Sequence, residues 1–101
     1  MKKKIKIGFK EYEIVKQPEV VDGMHGECFG LISLDEEVIK ISTKYNQNQQ
    51  NATFLHEIVH AIFEKLDMHE AKNDEMLVNQ LATELYVMIK ENPHIFTMKN
   101  I

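Results

Sequence analysis

The sequence predicts an α+β domain: a small, mostly antiparallel twisted sheet in the N-terminal half, packed on two helices from the C-terminal half. Two observations lead there. In the first half, short runs alternate apolar and polar residues between glycines and acidic turns, the period of half-buried strands. In the second half, apolar residues recur at helical spacing over two long stretches. At 101 residues the chain has room for one modest core, so residues 1–101 read as a single domain.

Taken in order, residues 5–9 and 12–15 alternate around Lys10-Glu11 and predict a hairpin or a bulged strand pair, which Pro18 ends. Residues 21–30 carry Gly23, Gly26 and Gly30 and predict a loop or an irregular strand. Residues 29–34 and Val38–Ser42 flank Asp35-Glu36-Glu37 as a second hairpin, with Val38, Ile39 and Ile41 apolar and Lys40 exposed. In the Asn- and Gln-rich residues 46–51, one of the asparagines caps the next helix. That helix covers residues 49–66, a loop covers 67–72, and a second helix runs from an Asn73 cap to Asn92, before Pro93. Leu77, Leu81, Leu85 and Met88 form its apolar stripe, with Glu75, Asn79, Ala82 and Tyr86 on a neighbouring face.

Composition narrows the function classes. A formal charge of −4 argues against nucleic-acid binding, and the lysines at positions 2, 3, 4 and 6 are too short a run for a binding arm. No apolar core of a signal peptide follows them, and no segment is long enough to span a membrane. Cys28 stands alone, which excludes an internal disulfide and suits a reducing cytoplasm. In that compartment the Asn51-Ala52-Thr53 sequon carries no meaning.

The chemistry lies in His56-Glu57-Ile58-Val59-His60. Helical positions i and i+4 share a face, so His56 and His60 can hold one divalent metal, with Glu57 beside them to accept a proton from water. Phe54, Leu55, Ile58, Val59, Ala61, Ile62, Phe63 and Leu66 crowd around the pair, so the helix is buried on most sides. Buried imidazoles need partners, and a metal satisfies both at once.

A catalytic zinc usually takes three protein ligands and leaves a position open. The candidates for the third are His69, Glu70, Asp74 and Glu75. The histidine-only pattern needs a Gly and a His three and six residues after His60, where Phe63 and Leu66 stand. Glu75 fits if the second helix returns antiparallel: it then lies in the first turn, level with the histidines. Asn79, one turn on, could support a ligand imidazole through its outer nitrogen.

Leu55-His56-Glu57-Ile58-Val59-His60-Ala61-Ile62, with the later Glu75-Met76-Leu77-Val78-Asn79-Gln80-Leu81-Ala82, resembles the ImmA/IrrE family of small bacterial and phage zinc metallopeptidases. That family pairs HExxH with a downstream Glu-x-x-Ala-Asn-x-Phe-Ala helix. Asn79 and Ala82 match, whereas Val78 and Leu81 replace the Ala and the Phe. The resemblance spans residues 30–85. The interval from His60 to Glu75 is short for the family, and Leu85-Tyr86-Val87-Met88 stands in place of its usual helix ending. The resemblance implies a zincin-like fold of the gluzincin type, a substrate laid along the sheet edge, and cleavage of a regulatory protein such as a phage or mobile-element repressor.

The expected activity is therefore that of a cytoplasmic zinc metallopeptidase acting on a protein or peptide substrate. Zinc (Zn2+) on His56, His60 and Glu75 would acidify a water, and Glu57 would carry its proton to the leaving amine. Tyr86 is the first choice as donor to the oxyanion, ahead of His25 and Tyr45. Strand Val38–Ser42 is the expected dock for an extended substrate. His25 and Cys28 read as a loop histidine and a small buried thiol. From a different class, the same zinc could simply pin two helices together in a non-catalytic interaction module.

Overall fold

The computed structural model describes residues 3–96; Lys2, the first of the N-terminal lysines, lies outside them. Strands β1 (Lys3–Ile7) and β2 (Lys10–Gln17) form an antiparallel hairpin in which Ile5 faces Tyr12 across the ladder. The turn is Gly8-Phe9 and not the expected Lys10-Glu11. Two-residue hairpin turns demand a positive φ that glycine adopts without a Cβ clash, and Gly8 sits at +67°.

Residues 21–30, expected as a loop or irregular strand, hold β4 (Gly26–Cys28) and most of β3 (Val20–Asp22), which pair as a separate two-stranded hairpin. Next come β5 (Gly30–Ser33) and β6 (Val38–Ser42), antiparallel as expected. The main sheet runs β1-β2-β6-β5, and the β2–β6 pairing at its centre is parallel. Glu37 ties the two hairpins together. Its carbonyl accepts from Glu13 N–H at 2.9 Å, and its carboxylate accepts from Glu11 N–H at 3.0 Å. These bonds hold Glu37 at φ +57°, a region that side chains with a Cβ seldom adopt.

Helix α1 (Gln47–Lys65) starts under an Asn46 cap whose side chain accepts from Gln49 N–H at 2.9 Å. One of its faces carries Phe54 and Ala61 onto Tyr12, Ile39 and Ile41 of the sheet. A different face carries Leu55, Val59 and Phe63 onto Val78 and Ala82 of α3 (Glu75–Glu91). The sheet therefore packs on α1, and α3 packs chiefly on α1, in place of two helices side by side on the sheet. Lys40, expected exposed, is half-buried within β6.

The α1 terminus turns back sharply. Asp67, at φ +56°, donates its N–H to the Glu64 carbonyl, and Met68 N–H reaches the Phe63 carbonyl. This pair of bonds is a Schellman closure built on a residue other than glycine. Residues 69–72, expected as loop, make one helical turn, α2 (His69–Lys72). Helix α3 then begins one residue later than expected, capped by Asp74, whose carboxylate accepts from Leu77 N–H at 3.1 Å.

Within α3 the buried face differs from the expected leucine stripe. Val78 and Ala82 are buried and Leu85 is half-buried, while Leu77, Leu81 and Met88 are about 40% exposed. Small residues let two helix backbones approach closely, and here Val78 and Ala82 take the contact with Val59 and Phe63. No helix among the described residues is long and apolar enough to cross a membrane.

Candidate metal centre

His56 and His60 project from one side of α1, as their four-residue spacing requires, and Glu75 reaches them from the first turn of α3. The two Nε2 atoms are 3.2 Å apart. Glu75 Oε1 lies 2.9 Å from His60 Nε2, and its Oε2 lies 3.1 Å from His56 Nε2. His56, His60 and Glu75 thus form a triangle of side chains in which each imidazole nitrogen faces a different carboxylate oxygen. Donors about 2.0–2.1 Å from one tetrahedral zinc stand about 3.3 Å from each other, close to the 3.2 Å between the two imidazole nitrogens. The donor set, two imidazoles and a carboxylate, suits zinc and other first-row divalent ions.

The imidazoles are largely buried and the Glu75 side chain is mostly exposed, so the triangle closes at the protein surface. Burial, more than any other influence, holds the His60 pKa below its ordinary value, with the Glu75 charge opposing it. His60 consequently favours the neutral form that a metal needs. The nearby backbone of Lys72, like the Glu75 charge, works against that lowering. The expected supporter, Asn79, lines the neighbouring cleft, but no hydrogen bond joins it to either imidazole among the described residues.

Glu57 is 6% exposed. Burial first, and the charge of Glu75 second, push its pKa up to about 8. Donor atoms of His56, Glu57 and His60 all lie within 4.8 Å of one another. A carboxyl group so placed is within reach to exchange a proton with a group bound at the imidazoles.

Two clefts meet at this cluster and share Cys28, Gly30, His56, Glu57 and Glu75. One, of about 390 Å³, continues past Gln49, Thr53, Asn79 and Thr83. The other, of about 600 Å³, continues past Leu31, Ile32 and Leu34, with Asp22, His25 and Lys72 on its walls. Gly30 is what lets β5 lie against α1 here. A Cβ at that position would stand 2.6 Å from both the Lys40 carbonyl oxygen and the Thr53 methyl.

The remaining expected residues fall as follows. Tyr86 donates its hydroxyl to Asn48 Oδ1 at 2.9 Å, tying α3 to the start of α1, and lines neither cleft. Tyr45 packs edge-on against Phe29, and Asp74 is committed as a helix cap. His69 is exposed, 3.9 Å from Asp67. Strand β6, expected as the docking strand, is paired on both sides, by β2 and by β5. A strand with both edges paired has no free N–H or C=O to offer, whereas β5 is one of the two edge strands, with β1, and borders the larger cleft. Asp22 is not legible in the sequence as a site residue; its only signal is its position three residues before His25 in a glycine-rich turn. Comparison of the chain with protein-family models, with curated proteins and with solved structures finds no significant match.

Proposed function

We propose that the chain is a zinc-dependent peptidase, zincin-like and similar to the ImmA/IrrE family, that cleaves an extended segment of a protein substrate in the cytoplasm. One observation carries the proposal: the triangle of His56, His60 and Glu75 with the buried carboxyl of Glu57 beside it. Zinc, when bound there, supplies Lewis acidity toward a water and a substrate carbonyl. Glu57 takes the proton of the attacking water and hands it to the departing amine. The free edge of β5 supplies main-chain donors and acceptors for an extended peptide. The clefts on either side of the cluster have room for side chains on both sides of the cut bond.

The test is incubation of the zinc-loaded chain with a mixed peptide library, read by mass spectrometry, beside the Glu57→Gln variant. Cleavage by wild type and none by Glu57→Gln at equal zinc content is the expected result. Equal product from both proteins would overturn the proposal.

A second reading is a metal-pinned interaction module. It is favoured by the exposed Leu77, Leu81 and Met88 on α3, apolar surface without a cover among the described residues. A Glu57→Gln protein that keeps its zinc and its whole cellular effect would favour this reading.

A further inference from the structure

The paired helices α1 and α3 have two flanks, and only one of them carries the metal cluster. Glu75 meets His60 and Tyr86 meets Asn48, so the two helices run antiparallel. Val59 and Phe63 of α1 meet Val78 and Ala82 of α3 along the seam. At about 3.6 residues per turn, His56, His60 and Glu75 fall to one side of that seam. The same geometry sends Ile58, Ile62 and Leu66 of α1, and Leu77, Leu81 and Met88 of α3, to the opposite side. These six side chains make one continuous face, two helices wide. Ile62 is 39% and Leu66 54% exposed, the three α3 residues are open to a similar degree, and Ile58 is half-buried. Charged residues stand only at its rims, with Lys65 on α1 and Glu84 on α3.

We propose that a second copy of the chain docks on this face, closing the two helix pairs into a four-helix bundle. Docking there holds whether or not the metal centre cleaves peptides. Helix α3 buries only Val78 and Ala82 of its seventeen residues, and no other described element covers its leucines. Helices of this length draw most of their stability from tertiary packing, so α3 has much to gain from cover. The exposed parts of Ile62, Leu66, Leu77, Leu81 and Met88 amount to roughly 400 Å² of apolar surface, as large as the biggest patch on a typical monomer. With the half-buried neighbours and the rims, each copy would contribute roughly 700–800 Å², one partner's share of a standard stable interface. Selection of a different protein relies on charged or hydrogen-bonding anchors, and the centre of this face has none. A copy related by a two-fold axis needs none, because apolar surface meets the same apolar surface. The acidic residues behind the net charge of −4 stay outside the contact, so the two copies are not driven apart at its centre.

Sedimentation equilibrium of the zinc-equilibrated full chain, between about 1 and 100 μM, is the test. Wild type is expected to reach twice the 11.8 kDa of one chain within that range. Leu81→Lys and Ile62→Lys each place a charge in the face and should weaken the dimer at least about a hundredfold. Val87→Lys, on the side of α3 turned away from α1, should leave the dimer as tight as in wild type. Hydrogen exchange of wild type decides the matter if the lysine variants fail to fold: amides of α3 should exchange more slowly as protein concentration rises, and those of the β1–β2 hairpin should not. Wild type that stays monomeric throughout, a dimer equally tight in both lysine variants, or α3 exchange independent of concentration would each overturn the proposal. Monomeric wild type that binds an amphipathic helical peptide on this face would overturn it too, and would assign the surface to a different protein.

Discussion

Glu75 and His60 come from different helices, yet Oε1 of one stands 2.9 Å from Nε2 of the other. Three local features deliver that contact. The closure at Asp67 reverses the chain after α1, the single turn of α2 sets its height, and the Asp74 cap starts α3 so that Glu75 falls in its first turn. Replacing Asp74 with Ala removes the cap and is expected to cost about 1 kcal/mol of stability. Because Glu75 is the next residue, zinc affinity should fall as well. Chemical denaturation and zinc titration of the same variant check both effects.

The pH dependence of the metal-free protein follows from Glu57. Its pKa of about 8 stands above the ordinary value of 4.5, so between those limits the unfolded chain loses a proton that the folded chain keeps. Stability therefore falls as pH rises through that window and is fully spared below it. Glu57→Gln cannot ionise. It is expected to be more stable than wild type at pH 8, by an upper bound on the order of 4–5 kcal/mol, with the gap closing toward pH 4.5. Thermal melts in chelator across that range are the measurement, and a gap independent of pH would contradict ionisation of the buried carboxyl as its cause.

Gly30 tests the approach of β5 to α1. Gly30→Ala sets a methyl against a carbonyl oxygen and a threonine methyl, both at 2.6 Å, and is expected to cost about 1–3 kcal/mol. Adding Thr53→Ser relieves the methyl clash but leaves the Lys40 carbonyl, so denaturant titration should show only partial recovery.

Tyr86 separates a structural from a catalytic role. Its hydroxyl is bound to Asn48, away from both clefts. Tyr86→Phe should lose about 0.5–1.5 kcal/mol of stability and leave zinc affinity and peptide cleavage at wild-type levels. Cleavage reduced about a hundredfold with the fold intact would return Tyr86 to the chemistry.

What is legible in the sequence depends on whether the signal is local. The lengths of α1 and α3, the Asn-capped start of α1 and the β5–β6 hairpin follow from periodicity and turn residues within a few positions of one another. The shared face of His56 and His60 is likewise helix geometry. The parallel β2–β6 pairing is set by contacts about 25 residues apart and leaves no local pattern. It alone decides that β6 is central and β5 the free edge. The buried face of α3 escapes a reading by periodicity because two apolar stripes lie side by side, and close helix packing selects Val78 and Ala82 over the larger leucines. Asp22 and His25 line the larger cleft only through the placement of the β3–β4 hairpin, which three glycines disguise as a loop.

The most direct test of the central claim is metal stoichiometry by mass spectrometry of the native, zinc-equilibrated protein, with His56→Ala and Glu75→Ala beside wild type. One zinc per chain in wild type, weakened or lost in both variants, is the predicted result. Wild type without zinc after equilibration, or Glu75→Ala binding as tightly as wild type, would contradict a centre built from His56, His60 and Glu75.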